Sequence, residues 1–359
     1  MRCVDHMSLK PNALKVLSTS GVHFKMRSES TSDWDEVVNK LAFKPVRYLH
    51  TSIDYQLAYQ RSFDGEWVDL SVTLYSDSKP VAIWPLSICS KEGSNYLSSQ
   101  GQAILPPLFV DGCPLKTEKK ITKQCVELTC QYEQSFNIAA LEVNSILNKN
   151  ASFLAWHSGW LEKGYSCSVK NFLYVDLKLD LPQIKYFFRK SYKSLISEAE
   201  REWNISVICE SIELNIWQEF RDLHIEVAGR STRSIESWDV QFESIKENQG
   251  FLITLRDKEK ALVGGGFFQA SEDEGLYAVG VYKRDLFDKP LGHVVQFKAI
   301  EEFKRRGCKW YEIGQRFYES DVPFPSDKEL SISHFKEGFA TDVKPFFVLK
   351  KKHSGGKGG

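Results

Sequence analysis

The last third of the chain carries one element order: strand, strand, strand, helix, strand, closing strand. Residues 251–255 (FLITL), 261–270 (ALVGGGFFQA) and 275–282 (GLYAVGVY) are apolar runs separated by charged turns, the pattern of short strands joined in sequence. Residues 291–306 (LGHVVQFKAIEEFKRR) place apolar side chains at helical spacing. Residues 310–314 (WYEIG) read as a short strand and residues 335–340 (FKEGFA) as a closing one. This order predicts a mostly antiparallel sheet leading into a helix whose N-terminus faces a cleft, where open N–H groups can hold an anion.

With 359 residues the chain is long enough for two cores. Lys and Arg together number 47, as do Asp and Glu, so no global field draws in DNA or an anionic membrane. The eight cysteines are scattered without a CxxC spacing, which reads as free or buried thiols of a reducing compartment. No apolar run approaches the roughly 18 residues of a membrane helix, and the N-terminal stretch MRCVDHMSLK has no secretory core. The expected location is the cytoplasm.

The chain divides into a polar lead-in (residues 1–44), a first domain (45–177), a second domain (178–350) and a Gly-rich tail (351–359). Residues 67–75 and 81–89 predict a hairpin across Asp77, Ser78, Lys79 and Pro80, and residues 116–133 predict a helix. Residues 182–203 predict one long helix, with Pro182 in its first turn. The two halves share an order of short helices, hairpin-rich sheet, helix and closing strands, as a degenerate duplication would.

Several residues can carry chemistry, and each has a bland reading beside the functional one. Gly292 and His293 open the 291–306 helix behind Lys283, Arg284 and Lys289. This is either a phosphate-holding helix start or a solvated loop before a core helix. Arg230, Thr232 and Arg233 lie within five residues. They form either a guanidinium clamp for phosphate or a polar loop paired with Glu226 and Glu236. Lys190 and Tyr192 sit on the long helix, where charge is usually only solvated. Gly264–Gly266 inside a strand means either a bulge with open N–H groups or tight packing against a neighbour. Glu312 is a carboxylate near a strand end, and Lys336 behind Phe335 either reaches the cleft or lies on the surface. The chain contains no GxSxG, HExxH, Walker A or GxGxxG signature.

Five stretches resemble the FemAB-like branch of the GNAT superfamily: residues 188–196 (FRKSYKSLI), 223–234 (LHIEVAGRSTRS) with Trp238, 277–280 (YAVG), 306–310 (RGCKW) with Glu312 and Gly314, and 335–339 (FKEGF). The resemblance implies an α/β (α+β) fold of two tandem GNAT-like domains, each a mixed, mostly antiparallel sheet flanked by helices. It implies an N-acyltransferase that moves an aminoacyl or short acyl group. The acceptor amine belongs to a nucleotide- or lipid-linked amino sugar or a muropeptide, in surface-glycan or cell-wall biosynthesis. The donor is acyl-CoA or aminoacyl-tRNA, with no tightly bound cofactor and no metal. Carried over, Lys336 and Tyr277 are the catalytic positions. Arg230, Thr232, Arg233 and Phe335 are carried over as substrate contacts; the residues themselves add Lys190, Tyr192 and Glu312 as candidate substrate contacts and Gly292, His293 and Arg284 as candidate donor contacts. The usual GNAT pyrophosphate signature is absent apart from Gly292, and so is the long coiled-coil insert of some tRNA-using relatives. Two alternatives are an acetyl-CoA-dependent N-acetyltransferase and a non-catalytic scaffold displaying Trp34, Trp156 and Trp160.

Overall fold

The computed structural model describes residues 9–138, 140–144 and 152–351; the tail beyond residue 351 lies outside them. The chain forms two compact units. In chain order its first half contains α1 (Leu9–Thr19), β1 (Phe24–Met26), α2 (Thr31–Asn39), a 3-10 turn (Val46–Tyr48), α3 (His50–Arg61), β2 (Glu66–Asp69), β3 (Val72–Ser76), β4 (Lys79–Trp84), β5 (Ser87–Lys91), β6 (Ser94–Ser98), β7 (Leu108–Phe109), α4 (Leu115–Ser135), β8 (Glu142–Asn144), α5 (Ser152–Glu162) and β9 (Tyr165–Asp176). The second half contains α6 (Leu181–Phe187), α7 (Lys190–Glu202), β10 (Asn204–Ile208), α8 (Leu214–Ala228), α9 (Ile235–Lys246), β11 (Gly250–Arg256), β12 (Leu262–Ala270), β13 (Glu274–Tyr282), a second 3-10 turn (Arg284–Leu286), α10 (Leu291–Arg305), β14 (Trp310–Arg316), α11 (Asp327–Glu337) and β15 (Asp342–Lys351).

The N-terminal unit comprises Met1–Lys44, Gln56–Val169 and Phe346–Gly359. Its strands form a sheet of order β1-β3-β4-β7 and a smaller one of order β2-β5-β6. The expected hairpin is β3–β4, turning through Asp77 and Ser78, both at positive φ. The region expected to be a surface lead-in is built into the core: Leu9, Ala13, Leu17 and Met26 pack with Trp84, Tyr132 and Leu349. Helical spacing of apolar residues in α1 produces that buried stripe. Trp34, Trp156 and Trp160 are at most 1% exposed, and Trp156 meets Trp160 edge-on. They are core residues and display no aromatic surface of their own.

The C-terminal unit comprises Pro45–Tyr55 and Lys170–Pro345. Its strands run in the order β10-β11-β12-β13-β14-β9. Neighbours are antiparallel except β13 and β14, which are parallel. Helices α7 and α10 pack under this sheet through Ile196, Ala199, Val294, Phe297 and Ile300, and α8 and α9 supply a second cluster around Trp217, Phe220 and Trp238.

The structure corrects two local expectations. Residues 182–203 are not one helix: Phe188 and Arg189 are extended (ψ 141° and 134°) and separate α6 from α7. The break lets Arg189 N–H donate to the Gly338 carbonyl at 2.9 Å, and it lets Phe188 wedge against Phe297 and Phe339. Nor is 335–340 a strand. Phe335 and Lys336 form the last turn of α11, which starts at a capping box: Ser326 and Glu329 each accept the other's backbone N–H, at 3.3 and 2.8 Å. The closing strand is β15, further on. Among the described residues no helix is long and apolar enough to cross a membrane.

Candidate active site

The site begins where the sheet of the C-terminal unit comes apart. Parallel pairing between β13 and β14 runs only from Glu274–Trp310 to Leu276–Glu312. Beyond it the facing edges of the two strands are unpaired with each other, and although β13 lies inside the sheet, residues 276–280 and 314–316 are partly solvent-exposed. Two bulges help to drive the divergence, since an extra residue bends and twists its strand. Ala278 is the extra residue of β13, because Phe267 and Phe268 face Val279 and Tyr277. Ile313 is the extra residue of β14, because Tyr174 and Leu173 face Glu312 and Gly314.

Lys336 reaches this opening from α11. Its Nζ lies 5.2 Å from the centre of the Tyr277 ring, within reach of a cation–π contact. It also stands 2.8 Å from where a Cβ on Gly314 would be, and Gly314 has φ +136°. The backbone angle therefore favours glycine at position 314, and a side chain there would push the flexible end of Lys336 aside. Among the described residues Lys336 forms no ion pair. Burial lowers its pKa from the ordinary lysine value, against the opposing pull of Glu312.

A second layer holds Glu312. The 3-10 turn of the Pro45–Tyr55 strap brings in Arg47, whose Nη1 and Nη2 donate to the two Glu312 oxygens at 2.8 and 2.6 Å. Tyr174 Oη donates to Glu312 Oε2 at 2.8 Å. Burial disfavours the charge on Glu312, but the charge of Arg47 and the hydrogen bonds of Arg47 and Tyr174 hold its carboxyl below the usual range. Glu274, 2% exposed, accepts the Val46 N–H at 2.8 Å. Burial, then the charge of Glu312, pushes its carboxyl up to about 7.

Aromatic rings wall the other side. Phe335 Cζ lies 3.1 Å and Tyr282 Cζ 3.6 Å from the Cβ position of Gly292. His293 packs edge-on against Tyr192 (4.5 Å) and Phe335 (5.1 Å). Burial, helped by the charge of Arg189, lowers its pKa to about 4, so this imidazole is neutral at physiological pH. Tyr192 is buried and donates to the Phe335 carbonyl at 3.1 Å. At the base, Tyr311 Oη donates to Gln296 Oε1 at 2.5 Å, and the Tyr277 and Tyr282 hydroxyls are 3.4 Å apart.

Lys336 thus neighbours Tyr277, while Phe335, His293, Tyr192 and Gly292 form one cluster and Glu312 lies close enough to act on the Lys336 charge. The other expected contacts stand elsewhere. Lys190 and Arg284 are exposed at the start of α7 and in the second 3-10 turn, and Arg230 and Thr232 lie in the α8–α9 connection. Arg233 is only 8% exposed. Its guanidinium sits 3.5 Å from the Trp238 ring centre and donates to Tyr55 Oη at 2.7 Å. It packs and anchors the strap instead of reaching for an acceptor phosphate. The Gly264–Gly266 run also takes its bland reading. It is paired with β11 on one side and β13 on the other, so its amides belong to the ladders. Its missing side chains admit Ile253, Tyr282 and Val295. Arg47, Tyr174 and Glu274 were not anticipated. Arg47 lies 265 positions from Glu312, and no periodicity links them. The start of α11 did have a sequence signal, the Ser326-x-x-Glu329 box.

No family model matches the chain, and neither does the sequence of any curated protein. Solved structures do match. FemX aligns at 11% identity with a TM-score of 0.62, covering 89% of this chain and 95% of its own. L-PGS from Bacillus licheniformis aligns at 12% identity with a TM-score of 0.56, over 89% and 91%. The C-terminal domain of an Agrobacterium fabrum protein named as a lysylphosphatidylglycerol synthetase aligns at 12% identity with a TM-score of 0.57, over 91% and 92%. At these identities the likeness speaks for the fold alone: the chain shares the α+β fold of FemX and L-PGS.

Proposed function

We propose that this protein is an N-acyltransferase that moves an aminoacyl or short acyl group onto a primary amine. The observation that carries the reading is Lys336, free of any ion pair among the described residues and lying over Tyr277 where β13 and β14 separate. In this reading the donor carbonyl enters the opening between the two strands. The acceptor amine attacks it, the new C–N bond forms, and the oxyanion that develops is stabilised by Lys336 with backbone N–H groups of the Ala278 bulge. The proton lost by the amine leaves through water, and collapse of the intermediate expels the donor's leaving group. Phe335, Tyr192 and Tyr282 exclude water from the reacting carbonyl. Exposed Arg230 holds acceptor phosphate, with Thr232 and Lys190 beside the acceptor. The acceptor class is an amino sugar, nucleotide- or lipid-linked, or a muropeptide, and the donor is acyl-CoA or aminoacyl-tRNA.

The acetyl-CoA alternative needs the N-terminus of α10 for a diphosphate. Phe335 and Tyr282 approach the Cβ position of Gly292 there, and the glycine itself is partly exposed. A thermal-shift panel of coenzyme A, acetyl-CoA, charged tRNA and amino-bearing nucleotide sugars separates these readings, because ligands of the native state raise its melting temperature. In a transfer assay built on the stabilising pair, Lys336→Ala should slow turnover about 10–1000-fold with an unchanged melting temperature. Wild-type turnover in that variant would refute the assignment.

A further inference from the structure

The strap residue Arg47 has no place in the transfer reading above, yet it makes the best-formed charge contact in that part of the molecule. It donates to both oxygens of Glu312, at 2.8 and 2.6 Å, and Tyr174 donates to one of them at 2.8 Å. Glu312 is 2% exposed and stands at the last pair before β13 and β14 diverge. Two residues on, Gly314 lies against Lys336 Nζ. Lys336 feels the Glu312 charge, and among the described residues it closes no ion pair. A buried carboxylate without a counter-ion is costly and captures a nearby cation. With Arg47 and Tyr174 on both its oxygens, Glu312 has no reason to draw Lys336 down from the Tyr277 ring.

We infer that Arg47 is a positioning residue: by occupying both oxygens of Glu312 it stops that carboxylate from trapping Lys336, and so keeps the Lys336 amine at the open edge of β13. The inference rests on the transferase reading for its purpose, but not for its geometry. The groups facing the pair are Arg47 from the strap, Tyr174 from β9, Glu274 and Tyr277 from β13, and Lys336 from α11. Burial works against the charged amine of Lys336 while Glu312 works for it. Removing Arg47 takes away the cation that occupies Glu312 and leaves Lys336 as a cation that feels that carboxylate.

The test is competitive acylation of the full chain with trace isotopic acetic anhydride between pH 6 and 10. Acylation of Lys336 is read by peptide mass spectrometry against exposed Lys190 in the same sample. Only a neutral, accessible amine reacts. Arg47→Met should lower the Lys336 to Lys190 ratio at pH 7.5 about tenfold, the effect of one pKa unit. Arg47→Lys should fall between the two. The double variant Arg47→Met/Glu312→Gln should return the ratio to the wild-type level or above it, because the trap is gone. An unchanged or increased ratio in Arg47→Met, or a double variant that stays low, would overturn the inference. If Arg47→Met does not fold, Glu312→Gln alone decides: its ratio should equal or exceed wild type, and a threefold fall overturns. Since the anhydride needs neither donor nor acceptor, failure of this result leaves the transferase reading standing, and failure of that reading leaves this result interpretable.

Discussion

Replacing Glu274 with Gln should make the protein more stable at pH 8 and much less so at pH 5. Glu274 is 2% exposed, and its carboxyl is raised from 4.5 to about 7, first by burial and then by the charge of Glu312. In the unfolded chain an ordinary glutamate is ionised above about 4.5. Between those two values the native state therefore binds the extra proton, and stability falls as pH rises through the window. Each pKa unit corresponds to about 1.36 kcal/mol, so the full difference costs the ionised protein about 3 kcal/mol above pH 7. Glutamine keeps an oxygen to accept the Val46 N–H and carries no charge. The variant should thus gain about 3 kcal/mol over wild type at pH 8 and only about 1 kcal/mol at pH 5. Titrating groups remote from Glu274 cancel in the comparison. Urea unfolding followed by tryptophan fluorescence at the two pH values measures it. A difference that does not change with pH would mean that Glu274 is ionised in the native state throughout, and that burial and the Glu312 charge do not raise its carboxyl.

Gly265→Ala should destabilise the fold by about 1–3 kcal/mol or more, because its Cβ would stand 2.3 Å from the Ile253 carbonyl oxygen, a backbone atom that cannot step aside; urea unfolding at the wild-type midpoint would refute this. Arg233→Ala should cost about 1–3 kcal/mol through the lost Trp238 stack and the lost hydrogen bond to Tyr55 Oη. An unchanged melting temperature with weaker binding of a phosphorylated acceptor would instead restore it as a substrate contact. The His293 imidazole should titrate near pH 4 when followed by NMR of ring-labelled histidine, and a midpoint near the ordinary value would show that the Tyr192–Phe335 cage is open to water.

The strand and helix order of the C-terminal unit was legible because each element there is long, periodic and bounded by turns. The runs at 251–255, 261–270, 275–282 and 291–306 became β11, β12, β13 and α10 with ends shifted by a residue or two. Lys336 and Tyr277 could be singled out, and they do meet. Local chemistry could also have placed α11, since Ser326 and Glu329 cap it within four residues. What hydrophobic pattern could not supply is the charge layer beneath the site. The contacts of Arg47 with Glu312 and of Val46 with Glu274 join residues more than 200 positions apart. The break at Phe188–Arg189 exists only because the end of α11 is there to receive it. Apolar spacing reports which face of an element turns inward, and that is settled one segment at a time. Which polar groups then share the interior depends on where separate segments dock, and the cost of leaving a buried charge unpaired decides it only in the assembled fold.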